Sequence, residues 1–594
     1  MSQNQGGEQK PDCVKSPVLI LPRLPSTLSR EGVVVAQKKD EDLVGLFALA
    51  LTEEELKSAA NGYSVVDNLL ELDLRGNDPG DSGVELLTSV IKNQKCKLRL
   101  LKSDAAEKAC AYLTSVLGRN PLLLTELDLS EKKPGDSGVK QFCALLEDSH
   151  CRIKKLKLNN SKIKEKGCAA LTSALNTNPS HLTELDLSGN ELGDSGVEKI
   201  SALLENKECK LQSLLLPKND IKKYGCESLV RALTSNPSHL TELDLSGNKL
   251  GDSGVETIYA LLENKECKLQ RLLLHKNDIK KDGCDSLVKA LTKNPSHLRE
   301  LNLSKNHLGY SGASLISALL ENKECKLQRL LLCKNDIKTD GCDSLVKALT
   351  KNPSHLTELN LSGNHVGDSG ASCISALLEN KECKLQRLLL RKNEINTDGC
   401  DSLVRALASN PSHLTELNLS GNHLEDLGAS FISALLENTE CKLQTLLLNK
   451  CSITEVGCVA LTSALTSNPS HLTYLDLRRN KLGDSGVNKI SALMKCPNNK
   501  LKIEVDKPKS WIASTFDWMK ETWKHEPSAE ESKAGDSSGS DQEGTESDTE
   551  AGDGTGGNQV QAKTDTEAGD VSGCNQGEAK SETETGDGTG GTQV

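Results

Sequence analysis

The chain has 594 residues, and at roughly 150 residues per domain its length alone allows about four compact domains. Its 3 Trp, 6 Tyr and 4 Phe leave leucine to fill most of any core. The formal net charge of −12 is unevenly placed: residues 526–594 hold 17 acidic side chains against 3 lysines, and the first 525 hold 67 acidic against 69 basic groups. So balanced a body has no general electrostatic attraction to nucleic acid, and none is expected as a partner. The longest apolar run, Val44 to Leu51, is well short of the ~18 residues that span a bilayer. The opening MSQNQGGEQKPDC has neither the basic nor the apolar region of a secretory signal. A cytoplasmic protein with no transmembrane segment is expected.

In chain order, residues 1–41 are polar and contain proline, and are expected to be disordered. Residues 42–68 read as a capping-helix region: the stretch 41–60 is apolar, and Thr52 and Glu55 have capping-box spacing. From 69 onward the chain is periodic. The phrase NPSHLTELDLSGN places its His at 181, 239, 297, 355, 413 and 471, always 58 apart, and ECKLQxLLLxKN places Cys at 209, 267, 325, 383 and 441. The two interleave at 29, since Leu182, Leu211, Leu240 and Leu269 all begin L-x-x-L-x-L-x-x-N-x-L, a leucine-rich repeat pattern. Fifteen units start at 69, 98, 124, 153 and then every 29 residues to 472, with a last strand at 501–505. The unit at 98 is short and lacks its Asn; Lys132 and Ser161 stand at the Asn position in the next two.

Leu185 and Leu187 share one face of a strand, with Glu184 and Asp186 on the other. Asn190 follows as a turn amide able to donate and accept across coils. Ser195 and Glu198, like Ser253 and Glu256, have capping-box spacing, and Val197, Ile200, Leu203 and Leu204 fall on one helical face. No single unit can bury that face, so the units must stack. The expected fold is α/β: a continuous right-handed horseshoe solenoid over 69–505, with a parallel concave sheet and outer helices.

These 29-residue units resemble the ribonuclease-inhibitor type of leucine-rich repeat, most closely the C-terminal repeats of fish NOD-like receptors. The phrases LTELDLSGN and GCxSLVxAL carry the resemblance over about 69–505. It implies a protein-recognition scaffold in innate-immune sensing or regulation. Those receptors carry a nucleotide-binding NACHT module before the repeats, but this chain has no G-x-x-x-x-G-K-[ST], and ATP-dependent assembly is not implied. Two alternatives share the repeat type: an inhibitor of a secreted-type ribonuclease, and a GTPase regulator resembling Ran GTPase-activating proteins, which also place an acidic tail after such repeats.

Fourteen of the 21 cysteines recur at two repeat positions, seven before strands and seven opening helices. Equivalent members two coils apart are roughly 10 Å from each other, beyond disulfide reach, so they read as small buried apolar residues in a reducing compartment. Cys13, Cys333 and Cys574 are off the pattern and are expected to be exposed. The NPSHL histidines have the same spacing, too wide to share a metal, and read as turn residues. No metal, cofactor or catalytic motif is expected.

On the concave strands Glu242, Arg271, Glu300, Arg329, Glu358, Arg387 and Glu416 alternate in charge and are expected to neutralise one another as a ladder. Beside them Leu215, Leu273, Leu331, Leu389 and Leu447 point away from the core, and the row is expected to be an exposed protein-binding face. Variation concentrates next to it at Pro217, His275, Cys333, Arg391 and Asn449, while Ser213, Thr445 and Tyr474 break the ladder. The candidate face therefore joins Arg271, Arg329 and Arg387 to the leucine row, His275, Cys333, Arg391, Asn449 and Tyr474.

After the repeats, residues 506–525 form an amphipathic stretch with Ile512, Phe516, Met519 and Trp523 at helical spacing, adjoined by Trp511 and Trp518. It is expected to cap the last coil; contact with a membrane surface or partner through the three tryptophans is the alternative. Residues 526–594 repeat DTEAGD at 548 and 565 and are expected to be an acidic disordered tail.

Overall fold

The computed structural model describes residues 124–506 apart from short gaps at 131–133, 180, 237–238, 296, 354, 411–412, 469–471 and 496–500, together with three earlier strands. Those are β1 (Val18–Ile20), β2 (Glu71–Asp73) and β3 (Leu100–Lys102). The expected helix at 42–68, the tryptophan stretch, the acidic tail, and Cys13, Cys96, Cys110 and Cys574 lie outside the described residues.

From Glu126 to Glu504 the described strands and helices alternate, one strand and one helix per coil up to the last strand. All strands join one open parallel sheet in chain order, and equivalent residues 29 apart are aligned: Glu300 faces Arg271 on one side and Arg329 on the other. The fold is a leucine-rich-repeat solenoid. β1, which the sequence reading does not contain, extends the sheet beyond the first repeat by pairing in parallel with β2.

The core follows the leucine pattern. Leu185 and Leu187 are fully buried, as are Leu214, Leu216, Leu243 and Leu245 in the next coils. Each helix adds a stripe: in Lys281–Lys293 the buried residues are Gly283, Cys284, Leu287, Val288, Ala290 and Leu291, the spacing of one helical face. Replacing one such leucine, Leu361 for instance, by alanine should cost about 2–5 kcal/mol because neighbouring coils cannot collapse into the hole.

Asparagine closes the turn across coils in all described coils but those of Ser161 and Cys451 and the coil whose position 132 is not described. The Asn190 amide donates to the carbonyls of Leu158 (2.9 Å) and Leu187 (2.7 Å), and its oxygen accepts from the N–H groups of Ser161 and Ile163, both at 3.0 Å. Where Ser161 replaces asparagine, its hydroxyl reaches the carbonyls of Leu129 (3.3 Å) and Asn159 (3.4 Å).

The expected capping boxes do not form. Helices Gly193–Leu204 and Gly251–Glu263 begin without a side-chain cap from Ser195 or Ser253. The neighbouring aspartate instead caps the next coil's helix. Asp368 Oδ1 accepts from the backbone N–H of Asn396 (2.7 Å) and Gly399 (3.1 Å), and Asp426 does the same for Thr454 (2.7 Å) and Gly457 (3.0 Å). These are the N-cap and N3 donors a capping box satisfies within one helix. The close approach also explains the glycine: a Cβ on Gly399 would lie 2.5 Å from Asp368 Oδ1. Spacing alone could not separate a cap within a coil from one between coils.

In the alternate series of described helices that begin at Glu165, Lys223, Lys281, Thr339, Thr397 and Glu455, one lacks this device. Tyr310 stands where the others have aspartate, is 54% exposed, and offers no acceptor to the helix Thr339–Lys351. Tyr310→Asp should stabilise the protein by about 0.5–2 kcal/mol, and Asp368→Ala should cost a similar amount. Urea denaturation of both variants, followed by circular dichroism, checks the pair.

Candidate protein-binding face

The charge ladder forms. Each arginine lies between two glutamates of flanking strands: Arg271 reaches Glu242 (2.8 Å) and Glu300 (2.9 Å), Arg329 reaches Glu300 (2.9 Å) and Glu358 (2.8 Å), and Arg387 reaches Glu358 (2.8 Å) and Glu416 (2.7 Å). Glu300 and Glu358 are buried between two guanidinium groups each. Burial works against the charge of Arg387, but its pairs with Glu416 and Glu358 outweigh that and hold its pKa above the ordinary value. Continuous bridging makes the row a structural element rather than a set of free charges.

The leucine row is less open than its alternation suggested. Leu215, Leu273 and Leu447 are half-buried, but Leu331 and Leu389 are only 7% and 6% exposed. They do point away from the main core cluster. The register sets Leu331 between Asn302 and Asn360, and Leu389 between Asn360 and Asn418. On the inside of a curved sheet those neighbours crowd together, and the charge ladder borders the row on one side. The stripe expected to be exposed is thus a sealed surface in its middle, and a charged side chain in place of Leu331 or Leu389 would be buried at a cost in stability.

Cys333 is a second correction. It is 1% exposed, and its N–H donates to Ser304 Oγ at 3.1 Å. The residues with open surface are His275, Arg391, Asn449 and Tyr474, all half-buried, flanked by the exposed Lys276, Lys392 and Lys450. Burial, reinforced by Lys305, Lys218 and Lys276, pushes the His275 pKa down to about 4, so the ring is neutral at pH 7. Tyr474 has Lys502 Nζ 5.4 Å from its ring centre, and Arg478 Nη1 beside it pairs with Glu504 at 3.0 Å.

The sequence reading missed a pair of carboxylates flanking Leu215. Asp186 and Asp244 align with it in the strands on either side. Burial raises both pKa values, and Asp244 reaches about 6 although the Ser246 hydrogen bond opposes the rise. The column entry at Leu215 was legible; a protonation shift set by desolvation was not.

The patterned thiols that the structure describes are all free and buried. Burial pushes Cys168, Cys284, Cys342 and Cys400 up to about 12, far from reactive thiolates. The NPSHL histidines that are described occupy the corner before each strand, and no group of three or more His, Cys, Asp or Glu among the described residues is placed to hold a metal. No described helix is long and apolar enough to cross a membrane.

This geometry is that of a leucine-rich-repeat protein, and a Leucine Rich repeat family model matches residues 68–87, 178–201, 236–258, 294–317, 352–375, 410–433 and 468–491, in alternate coils from 178 onward. The repeats are of the ribonuclease-inhibitor type, homologous to ribonuclease inhibitor and to the repeat regions of NACHT, LRR and PYD proteins. Ribonuclease inhibitor of Mus musculus is 34% identical over 119 residues, which is 20% of this chain and 26% of the inhibitor. NACHT, LRR and PYD domains-containing protein 3 of Bos taurus is 38% identical over 15% of this chain and 9% of its own length. NACHT, LRR and PYD domains-containing protein 12 of Homo sapiens is 39% identical over 17% and 10%. The chain thus spans about a quarter or less of the lengths of these relatives.

Two outcomes follow. Among the described thiols, Cys373, which is partly exposed, should be alkylated by iodoacetamide before Cys333 and the buried patterned cysteines, as mass spectrometry of a labelling time course will show. Asp244 holds its proton more tightly folded than unfolded, so its ionisation destabilises the fold as pH rises through about 6. Asp244→Asn should therefore be more stable than wild type at pH 7–8, with the gain shrinking through pH 6 and gone near the unfolded carboxylate value of about 4. Thermal melts across that range check it.

Proposed function

We propose that the chain is a non-enzymatic cytosolic recognition scaffold, binding a protein partner along its concave face in innate-immune sensing or regulation. One observation carries the reading. From Arg271 to Glu416 the core leucines, turn asparagines and Arg–Glu ladder stay constant, while in every second coil the inner-face position after them changes, through His275, the buried Cys333 and Arg391, with Pro217 and Asn449 at the same position in the coils beyond. A surface that varies while its scaffold does not is what selective recognition needs. Homology to the repeat regions of NACHT, LRR and PYD proteins supports the immune context, and that support is by association.

Ribonuclease inhibition is the second reading, favoured by the mouse and pig inhibitors among the relatives. Strongly basic targets of that kind need a concave face of one sign, whereas here arginine and glutamate neutralise each other along much of it. The GTPase-regulator reading rests on the acidic tail alone.

Arg391→Glu combined with Asn449→Arg should abolish partner capture with little change in melting temperature, because neither side chain belongs to the core cluster. Quantitative cross-linking from cell lysate, wild type beside the double variant, reads the loss; identical partner profiles refute the concave-face reading. Inhibition of a pancreatic-type ribonuclease at micromolar protein would put the second reading first.

A further inference from the structure

The Arg–Glu ladder is interrupted at one described coil in its N-terminal half. Ser213 occupies the arginine position, flanked in register by Glu184 and Glu242 just as Arg271 is flanked by Glu242 and Glu300. The serine hydroxyl reaches only Glu242 Oε2, at 2.9 Å. Two residues along the same strand, Leu215 lies between Asp186 and Asp244. Four carboxylates thus surround two uncharged side chains.

Local cations answer only part of that charge. Lys155 pairs with Glu184 at 3.0 Å and Arg271 with Glu242 at 2.8 Å. Asp186 is held by Ser188, and Asp244 accepts the Ser246 N–H at 2.8 Å; no Lys or Arg among the described residues forms an ion pair with either aspartate. Burial is the main cause of the raised Asp186 and Asp244 pKa values, and the neighbouring carboxylates add to it: Glu184 at Asp186, Glu242 and Asp186 at Asp244.

A second observation says which ligand fits. The same chain seats a guanidinium between two glutamates of adjacent strands three times, at Arg271, Arg329 and Arg387, with each contact at 2.7–2.9 Å. The coil at Ser213 keeps the two glutamates and omits the arginine. We propose that this notch receives an arginine side chain of the protein partner, its guanidinium between Glu184 and Glu242 and its stem over Leu215, with Asp186 and Asp244 taking the remaining N–H groups. The planar fork of arginine matches paired carboxylates in a way the lysine ammonium does not. The four carboxylates repel a phosphate backbone, which excludes nucleic acid from this notch. The proposal rests on the reading that the concave face binds protein, and adds the chemistry of one anchor.

The test uses the full chain and fluorescein-labelled peptides identical except for arginine, lysine or citrulline at two positions, read by anisotropy. Ser213→Arg restores the ladder in cis and has a sequence precedent at three other coils, so it should fold. It should weaken the arginine peptide by roughly tenfold or more, about the worth of one charge-assisted hydrogen bond. Ser213→Ala should leave binding unchanged. Binding to the acidic stretch 526–594 is common to all variants and cancels in this comparison. Citrulline should abolish the part of the binding that Ser213→Arg removes, and lowering the pH through 6 should weaken it. Equal affinity of wild type and Ser213→Arg, or equal sensitivity of the lysine and arginine peptides to that substitution, overturns the proposal. Arg391→Glu with Asn449→Arg should leave the peptide bound; if it abolishes partner capture while the peptide stays on, the concave-face reading stands independently of the notch.

Discussion

Each described coil of consensus sequence relies on its neighbour for the hydrogen bonds of its turn. The turn that follows each strand turns N–H and C=O groups inward, and a buried backbone group without a partner costs about as much as a lost hydrogen bond. Asn248 supplies both needs at once, donating to Leu216 and Leu245 and accepting from Asn219 and Ile221. Its donors and acceptors lie in two coils. Stacking is therefore required by the backbone as well as by the leucines, and the aspartate caps repeat the same logic on the helical side. A coil removed from the stack would lose its core, its turn and its helix start together, which is why the unit of stability is the pair of neighbours rather than the repeat.

The 58-residue period has a physical basis in this shared bonding. In alternate coils the asparagine oxygen is left over: Asn219, Asn277 and Asn393 each have a buried Oδ1 without a partner, whereas Asn335 receives the Asn306 N–H at 3.2 Å. The coil beginning at 443 uses Cys451 at this position, whose thiol reaches the Leu419 carbonyl at 3.2 Å and leaves no orphaned acceptor. The two kinds of coil thus ask different things of one position: the first needs donor and acceptor, the second a donor only. Asparagine over-serves the second, and each unsatisfied oxygen carries a desolvation cost of order 1–3 kcal/mol.

This division also explains what the sequence could and could not reveal. Register, strand direction and core identity follow from a strict period, because a 29-residue spacing that aligns Leu301 with Leu272 and Leu330 leaves no other pairing that buries both. The Arg–Glu ladder was legible for the same reason. Caps were misassigned, since Ser195 and Glu198 satisfy a local rule while the acceptor that wins, Asp194, serves Lys222 in the following coil. Exposure was misread at Leu331, Leu389 and Cys333 because alternation tells which face a side chain takes, and the crowding on that face depends on the curvature of the sheet and the width of its neighbours. Strand β1 was invisible: three residues, Val-Leu-Ile, in a polar segment carry no period.

Ionic pairing along the concave face then decides where binding energy is available. A guanidinium already bridging two glutamates has its charge answered on both sides, and prising it free leaves the buried Glu300 or Glu358 short of a partner. The stretch from Arg271 to Glu416 is consequently poor ground for new charged contacts. Toward the N-terminal side the balance reverses, because Asp186, Glu184, Glu242 and Asp244 outnumber the cations that reach them. Toward the C-terminal side it changes again at Tyr474, where an aromatic ring, Lys502 and the Arg478–Glu504 pair replace the ladder. On the proposed reading of the concave face, an acidic stretch, a self-neutralised stretch and an aromatic coil in that order are directional: a partner bearing a cation on one side and an apolar or hydrogen-bonding patch on the other fits in one orientation and not the reverse.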